Sequence, residues 1–274
     1  MMKRFIFSIF LLPLLLASPQ TKAQGIMLTP KWTAQAQFTG YYVADKLGFY
    51  KEEGIDVCVQ HPAISESSFS FMEKGRAPVV IMNLSYAFME RLAGARVVNV
   101  MQTSQENSLM LISHSPLKGE ESLRNQKIAV WNHLSQKLLD RLAEHYALKQ
   151  VEWIRFNSGV NVFLSGAADP CLVGSYNEYL QLSEYGMNVD SIYSIRLADY
   201  GYNLPEDGLY VTEEFYNQYP EVVRKLVKAS MRGWAWTNEH REEALDMVME
   251  EVKKGNIGTN RYHQRKMLEE VLRL

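Results

Sequence analysis

Cysteine is scarce in this chain: Cys58 and Cys171 are the only two in 274 residues, which excludes a scaffold stapled by disulfides. Neither lies near the N-terminus, which argues against a lipid anchor there. An excess of charge of one sign is also missing. With 29 Lys and Arg against 31 Asp and Glu, the formal net charge is −2, and nothing in it would draw nucleic acid electrostatically. Metal-ligand spacing is absent, because His114, His133, His145, His240 and His263 lack close cysteine or carboxylate partners, and His61 beside Pro62 reads as a strand-end residue. The chain has no internal repeat, low-complexity tract or block of like charges.

Apart from short strand-like runs, the notable apolar run is Phe5 to Ala17, behind Lys3 and Arg4. It is too short to span a bilayer comfortably. With Thr21-Lys22-Ala23 as a cleavage site, residues 1–23 read as a secretory signal peptide, an alternative cut following Ala17 or Ser18. Its removal takes away three basic residues and no acidic one, moving the formal charge from −2 to −5. The expected product is an exported protein, free of a lipid anchor, suited to a Gram-negative periplasm.

What remains, about 250 residues, can form two modest lobes, each with its own core. Short β-like runs alternate with amphipathic helices, the pattern of α/β folds with largely parallel sheets. Expected strands include Ile55 to Gln60, Val79 to Met82, Val97 to Gln102, Leu109 to Ser113, Lys127 to Trp131 and Cys171 to Gly174. Expected helices include Ser65 to Lys74, Tyr86 to Ala93 and Ser135 to Ala147. His114-Ser115-Pro116 and Tyr202 to Asp207 are the expected passages between lobes, because proline and polar residues interrupt the apolar periodicity there. The chain thus divides into a first lobe over 24–113, a second over 114–206 and a return to the first over 207–274. Cys58 and Cys171 fall in different lobes and are expected to be two buried, unpaired thiols. Towards the end, Pro220 opens a helix with Val223, Val227, Met231 and Trp234 on one face, a second helix carries Leu245, Val248 and Val252, and a third runs from Tyr262 to Leu274.

The stretch Lys31 to Val57, KWTAQAQFTGYYVADKLGFYKEEGIDV, couples a strand exit to a helix that opens on polar and aromatic side chains. It resembles the start of the NMT1/THI5-like solute-binding proteins, whose best-known bacterial members serve ABC transporters for thiamine pyrimidine precursors. The block Ala198 to Leu209, ADYGYNLPEDGL, is similar to that family's hinge-return segment. Tyr176-Asn177-Glu178-Tyr179 and Arg232-Gly233-Trp234 with Glu242-Glu243-Ala244 extend the likeness over most of the chain. The resemblance implies a two-lobed type II periplasmic binding protein fold that closes over a small ligand. It implies a monomer delivering a heteroaromatic compound to an inner-membrane ABC permease, with no cofactor. Family members usually continue beyond the last helix, so the expectation here is a shortened variant or a truncated gene product, with part of the first lobe uncovered.

Eukaryotic members of the superfamily instead make the thiamine pyrimidine, consuming bound pyridoxal phosphate and a histidine. Their cofactor lysine and that histidine align near Met82 and Tyr86, and their cysteine cluster has no counterpart in Asp199 to Val211. A binding protein rather than an enzyme is expected, either a transport receptor or an exported protein that only binds.

Ten residues are candidates for the ligand site. Glu178 follows a strand, where its carboxylate either interacts with a helix N-terminus or accepts hydrogen bonds from the amine and ring nitrogen of an aminopyrimidine. Asn177 stands beside it. Trp32, Tyr41 and Tyr176 offer flat faces for stacking, although aromatic residues equally often fill cores. Gln37, Asn83 and Gln102 lie near strand ends, where α/β sheets place ligands. Asn132 and Ser158 occupy polar turns of the second lobe, in which Ser135, Asn157 and Ser158 could equally be helix caps. Asp199 and Asp207, at the second passage, read as solvated or capping residues.

Overall fold

A computed structural model describes residues 25–63, 65–117, 123–131, 140, 143–144 and 150–274, and among these, runs of β-branched and apolar residues between polar turns build ten strands. The strands are β1 (Ile26–Thr29), β2 (Val57–Val59), β3 (Val79–Asn83), β4 (Val97–Gln102), β5 (Leu109–Ser113), β6 (Lys127–Trp131), β7 (Glu152–Phe156), β8 (Cys171–Gly174), β9 (Tyr193–Arg196) and β10 (Asp207–Thr212). They form two five-stranded sheets, ordered β2-β1-β3-β10-β4 and β7-β6-β8-β5-β9. Each sheet is mixed rather than largely parallel. β10 runs antiparallel to β3 and β4, and β5 antiparallel to β8 and β9, because each of these strands enters its sheet from the other lobe.

The helices among the described residues are α1 (Thr39–Lys46), α2 (Phe49–Glu52), α3 (Ser68–Glu73), α4 (Leu84–Leu92), α5 (Asn161–Leu164), α6 (Glu178–Glu184), α7 (Glu213–Gln218), α8 (Pro220–Glu239), α9 (Arg241–Lys254) and α10 (Arg261–Val271). Pro220 occupies the first turn of α8, where its missing N–H costs no hydrogen bond. Thr212 caps α7 and Asn260 caps α10, each side-chain oxygen accepting from a backbone N–H in the first turn.

The core of the first lobe joins β1, β3 and β10 to α1, α8, α9 and α10 through Leu28, Ile81, Leu209, Tyr42, Leu226, Val248 and Met267. The block Arg232-Gly233-Trp234 is explained by this packing. A Cβ on Gly233 would stand 2.0 Å from the carbonyl oxygen of Gly40, and one on Gly40 would lie 2.3 Å from the Trp234 ring, so the α1–α8 crossing requires both glycines. In the second lobe, Ile112, Val160, Phe163 and Leu182 fill one face of the sheet, and Leu111, Ile128, Val130 and Leu172 the other.

Two further expectations change. The first passage between the sheets lies over 103–108, ahead of β5, rather than at His114-Ser115-Pro116. β5 is apolar enough to belong to either lobe, and only its pairing with β8 and β9 assigns it to the second. The chain returns to the first sheet between β9 and β10. Cys58 is exposed, not buried, because β2 is an edge strand whose alternate residues face outward, while Cys171 is buried and neither is paired. The proposed signal peptide and most of the expected helix Ser135 to Ala147 lie outside the described residues; Asp140, Ala143 and Glu144, the described part of that helix, are helical.

Candidate ligand site

The strand ends that face one another across the two passages carry a concentration of buried polar groups. On the first lobe, Lys31 follows β1 and its ammonium lies 2.6 Å from Asp207 Oδ1, at the start of β10. It also donates to Asn83 Oδ1 at the end of β3. Gln37 Nε2 donates to Asp207 Oδ2 at 2.6 Å, and Gln35 Nε2 to Gln37 Oε1 at 2.5 Å. Glu206, next in line, accepts from the backbone N–H and the hydroxyl of Ser108 at 2.9 and 2.7 Å, tying the two passages together. Burial pushes the Glu206 carboxyl above its usual range, which Lys31 opposes and Asp207 reinforces.

On the second lobe the chain leaves β8 at Gly174 and turns into α6 at Glu178. The Glu178 carboxylate is buried and accepts three hydrogen bonds, from Trp131 Nε1 at 3.2 Å, Asn177 Nδ2 at 3.1 Å and the Gly174 N–H at 3.1 Å. Gly174 lets the carboxylate approach closely, since a Cβ there would lie 3.3 Å from Glu178 Oε2 and crowd it. Burial raises the carboxyl pKa, while hydrogen bonds from its own backbone N–H, Gly174, Trp131 and Asn177 pull it down. Among the described residues no cation lies within ion-pair distance of it.

Tyr176 stands between these groups. Its side chain packs on the first-lobe core although it belongs to the second lobe. Its phenol is held well above the ordinary pKa by burial first and then by the charges of Glu206, Asp207 and Glu178, with Gln37 acting in the opposite direction. One tyrosine therefore senses all three carboxylates.

The sequence candidates distribute as follows. Gln37, Asn83, Tyr176, Asn177 and Glu178 belong to this assembly. Gln102 flanks it, donating to the Asp207 carbonyl at 2.9 Å and so fixing the start of β10. Gly208 accommodates that contact, because a Cβ there would meet Gln102 Oε1 at 2.7 Å. Trp32 borders the first core, and His61 Nδ1 hydrogen-bonds its carbonyl while His61 Nε2 meets the Tyr42 hydroxyl at 2.7 Å. Tyr41 is buried inside the first lobe, edge-on to Trp234 at 5.8 Å. Ser158 is exposed in the turn before α5, and Asn132 lies outside the described residues.

Lys31, Glu206, Asp207 and Trp131 were missed as site members. Asp207 is a buried ion-pair partner of Lys31, not a solvated or capping residue, because β10 inserts it between β3 and β4. Trp131 adjoins the candidate Asn132, and its place at the end of a central strand was the available signal. Two surface concavities lie elsewhere, one lined by Phe69, Met72, Glu90 and Arg96, the other by Phe49, Arg232 and Trp236. Neither presents a buried carboxylate of this kind.

A family model described as NMT1/THI5 like matches residues 35–244. The chain belongs to the NMT1/THI5-like family. Among curated relatives of this NMT1/THI5-like chain, riboflavin-binding protein RibY of Chloroflexus aurantiacus is 29% identical, over 92% of this chain and 73% of the relative. The formylaminopyrimidine-binding protein of Halalkalibacterium halodurans is 24% identical, over 93% of this chain and 81% of its own. A yeast relative, 4-amino-5-hydroxymethyl-2-methylpyrimidine phosphate synthase THI13 of Saccharomyces cerevisiae, is 22% identical over 72% of this chain and 62% of its own. The periplasmic aliphatic sulphonate binding protein SsuA from Escherichia coli superposes with a TM-score of 0.69 at 14% identity, covering 90% of this chain and 83% of that one. The ligand-binding component of an ABC-type import system from Staphylococcus aureus gives a TM-score of 0.65 at 10% identity, over 90% of this chain and 84% of that one. The fold is that of the periplasmic binding proteins. Among the described residues, no helix is long and apolar enough to cross a membrane.

Proposed function

We propose that this protein is the periplasmic substrate-binding component of an ABC importer, delivered by its N-terminal signal, and that it captures a thiamine pyrimidine precursor for an inner-membrane permease. The observation that carries the reading is Glu178, a buried carboxylate with three neutral donors and no cation partner among the described residues. An anion so placed, with no counter-charge among the described residues, favours a ligand that brings charged or polarised N–H groups. The exocyclic amine and protonated ring nitrogen of an aminopyrimidine supply two such groups in the plane of a carboxylate. Trp131 and Tyr176 border the same position and offer faces to a flat ring. A buried anion also disfavours sulfonates and other anionic ligands. Among the candidates named from sequence, Gln37, Asn83 and Asn177 surround the ligand, and Trp32 borders it.

A second reading is favoured by one observation, the 29% identity to RibY, a riboflavin-binding protein. Riboflavin also carries a pyrimidine-type ring, but its ring N–H is flanked by carbonyl oxygens that would face the carboxylate. On that chemistry the aminopyrimidine is preferred. A synthase of the THI13 kind is the third alternative; it would require pyridoxal phosphate to bind.

Calorimetric titration of residues 24–274 against formylaminopyrimidine, hydroxymethylpyrimidine, riboflavin, thiamine, taurine and pyridoxal phosphate tests all three. Tight one-to-one binding of a pyrimidine is the expected result. Riboflavin binding with no response to the pyrimidines would move the ligand to the second reading. Binding of pyridoxal phosphate would replace the receptor by the enzyme.

A further inference from the structure

The helix α10 belongs to the first lobe by its apolar face, since Met267 and Leu268 lie in that core and Gln264 Oε1 accepts from the Ala36 N–H at 2.7 Å. Its polar residues reach the second lobe. His263, almost fully buried, meets Glu184 Oε1 through Nδ1 at 2.6 Å and Asn177 Oδ1 through Nε2 at 3.0 Å. Asn260 Nδ2 donates to Glu184 Oε2 at 3.3 Å. Two turns further on, Glu270 Oε1 accepts from the Ser175 hydroxyl at 2.6 Å and lies 3.6 Å from Arg196. The Leu274 carbonyl then accepts from the backbone N–H groups of Gln105 and Glu106, in the first passage, at 2.7 and 3.1 Å.

Within the second lobe these contacts fall on Arg196 and on Ser175, Asn177 and Glu184, and the last three bracket Glu178. The link to the carboxylate is specific. Asn177 Oδ1 is addressed by His263 and by Gln181 Nε2 at 3.3 Å, which leaves Nδ2 turned towards Glu178 Oε1. Without the histidine, one of the two partners that set the orientation of this amide is lost. The opposite orientation would place oxygen against oxygen.

We propose that α10 is a latch between the lobes and that His263 is a positioning residue for the ligand carboxylate, acting through Asn177. The contacts that hold the lobes together then also orient Glu178, so closure and the ordering of the recognition group are one event. The positioning role rests on the reading of Glu178 as the ligand group, whereas the latch does not.

The test combines scattering and binding on the full mature protein. Ligand-free His263→Ala and, from the opposite side of the contact, Glu184→Gln are expected to show a larger radius of gyration by small-angle X-ray scattering than the wild type, with unchanged circular dichroism. In titrations with formylaminopyrimidine and riboflavin as probes, His263→Ala is expected to raise Kd about tenfold, the loss of roughly one hydrogen bond, and His263→Gln to recover most of it. Placed on a Glu178→Gln background, His263→Ala is expected to change Kd less than about twofold, because the effect runs through that carboxylate. An equal loss on both backgrounds overturns the positioning role. Scattering curves identical to the wild type for both variants overturn the latch. If the wild type binds neither probe, the reading of the site fails instead, and scattering still decides the latch.

Discussion

Two buried acidic settings face each other in this protein, and they are satisfied in opposite ways. Asp207, at the start of β10, has its charge answered within the chain by the Lys31 ammonium at 2.6 Å and the Gln37 amide at 2.6 Å. Glu178, at the start of α6, is met among the described residues by neutral donors, the Trp131 indole, the Asn177 amide and the Gly174 N–H, and by no cation. The first arrangement is closed and holds the strand that returns from the second lobe. The second is open, because hydrogen bonds stabilise the anion without neutralising it. A carboxylate of the first kind contributes to the fold; one of the second kind is available to a ligand. Residue type and burial do not distinguish them, and the nearest cation does.

Breaking the closed setting is expected to give the largest effect. Asp207→Ala leaves the Lys31 ammonium without its partner in a largely buried position, and should lower the unfolding free energy by about 3 kcal/mol in urea titrations. A loss below about 1 kcal/mol would mean that the pair is as dispensable as a surface one. Glu178→Gln attacks the open setting, and should weaken pyrimidine binding by about 1.5 to 3 kcal/mol, the range for hydrogen bonds to a charged group, while the folded protein persists. Unchanged affinity in calorimetry would remove Glu178 from the site.

Trp131→Phe keeps an aromatic ring, removes the indole donor to Glu178 and gives up part of the buried ring volume. A drop in affinity of about 1 kcal/mol is expected, with the circular dichroism spectrum unchanged. The same substitution should leave the Lys31–Asp207 side untouched, so a shift in stability as large as that of Asp207→Ala would show the two settings to be coupled.

The smallest effect is a pH dependence of opposite sign for stability and binding. Burial holds the Glu178 and Glu206 carboxyls above the ordinary value of 4.5. A carboxyl raised in the folded state contributes stability that is fully present below the ordinary value and is lost as pH rises through the raised one. The melting temperature of the ligand-free protein should therefore rise by about 2 °C as pH falls from 7 towards about 5. Ligand affinity should fall as pH drops towards the ordinary carboxyl range, where Glu178 takes up a proton, loses its charge and presents a donor in place of one acceptor. Below the ordinary range the stability trend reverses, as carboxylates such as Glu242, held low by hydrogen bonds from Arg265 and Arg261, become protonated. Scanning calorimetry and ligand titration at matched pH separate the two trends.

Much of the fold was legible from local pattern. β4, β5, β6 and β8 occupy the spans that their apolar runs suggested, and α8 opens at Pro220 as expected. β7 and β9 were not foreseen, since Glu152–Phe156 and Tyr193–Arg196 mix charged and polar residues into strands at the edges of their sheet. The position of the first passage was displaced for a related reason. Apolar periodicity reports that a segment is a strand, and says nothing about which sheet completes its hydrogen bonds.

The sequence by itself determined the class of fold, the family and the presence of a YNE turn with a carboxylate at the start of a helix, because these depend on periodicity and short motifs read within a few residues. Only the tertiary structure decided which acids are neutralised and which are not. Lys31 and Asp207 are 176 positions apart, and His263 and Asn177 are 86 apart. Coulomb and hydrogen-bond energies depend on distance in space, and that distance exists only after β10 and α10 have returned to the first lobe.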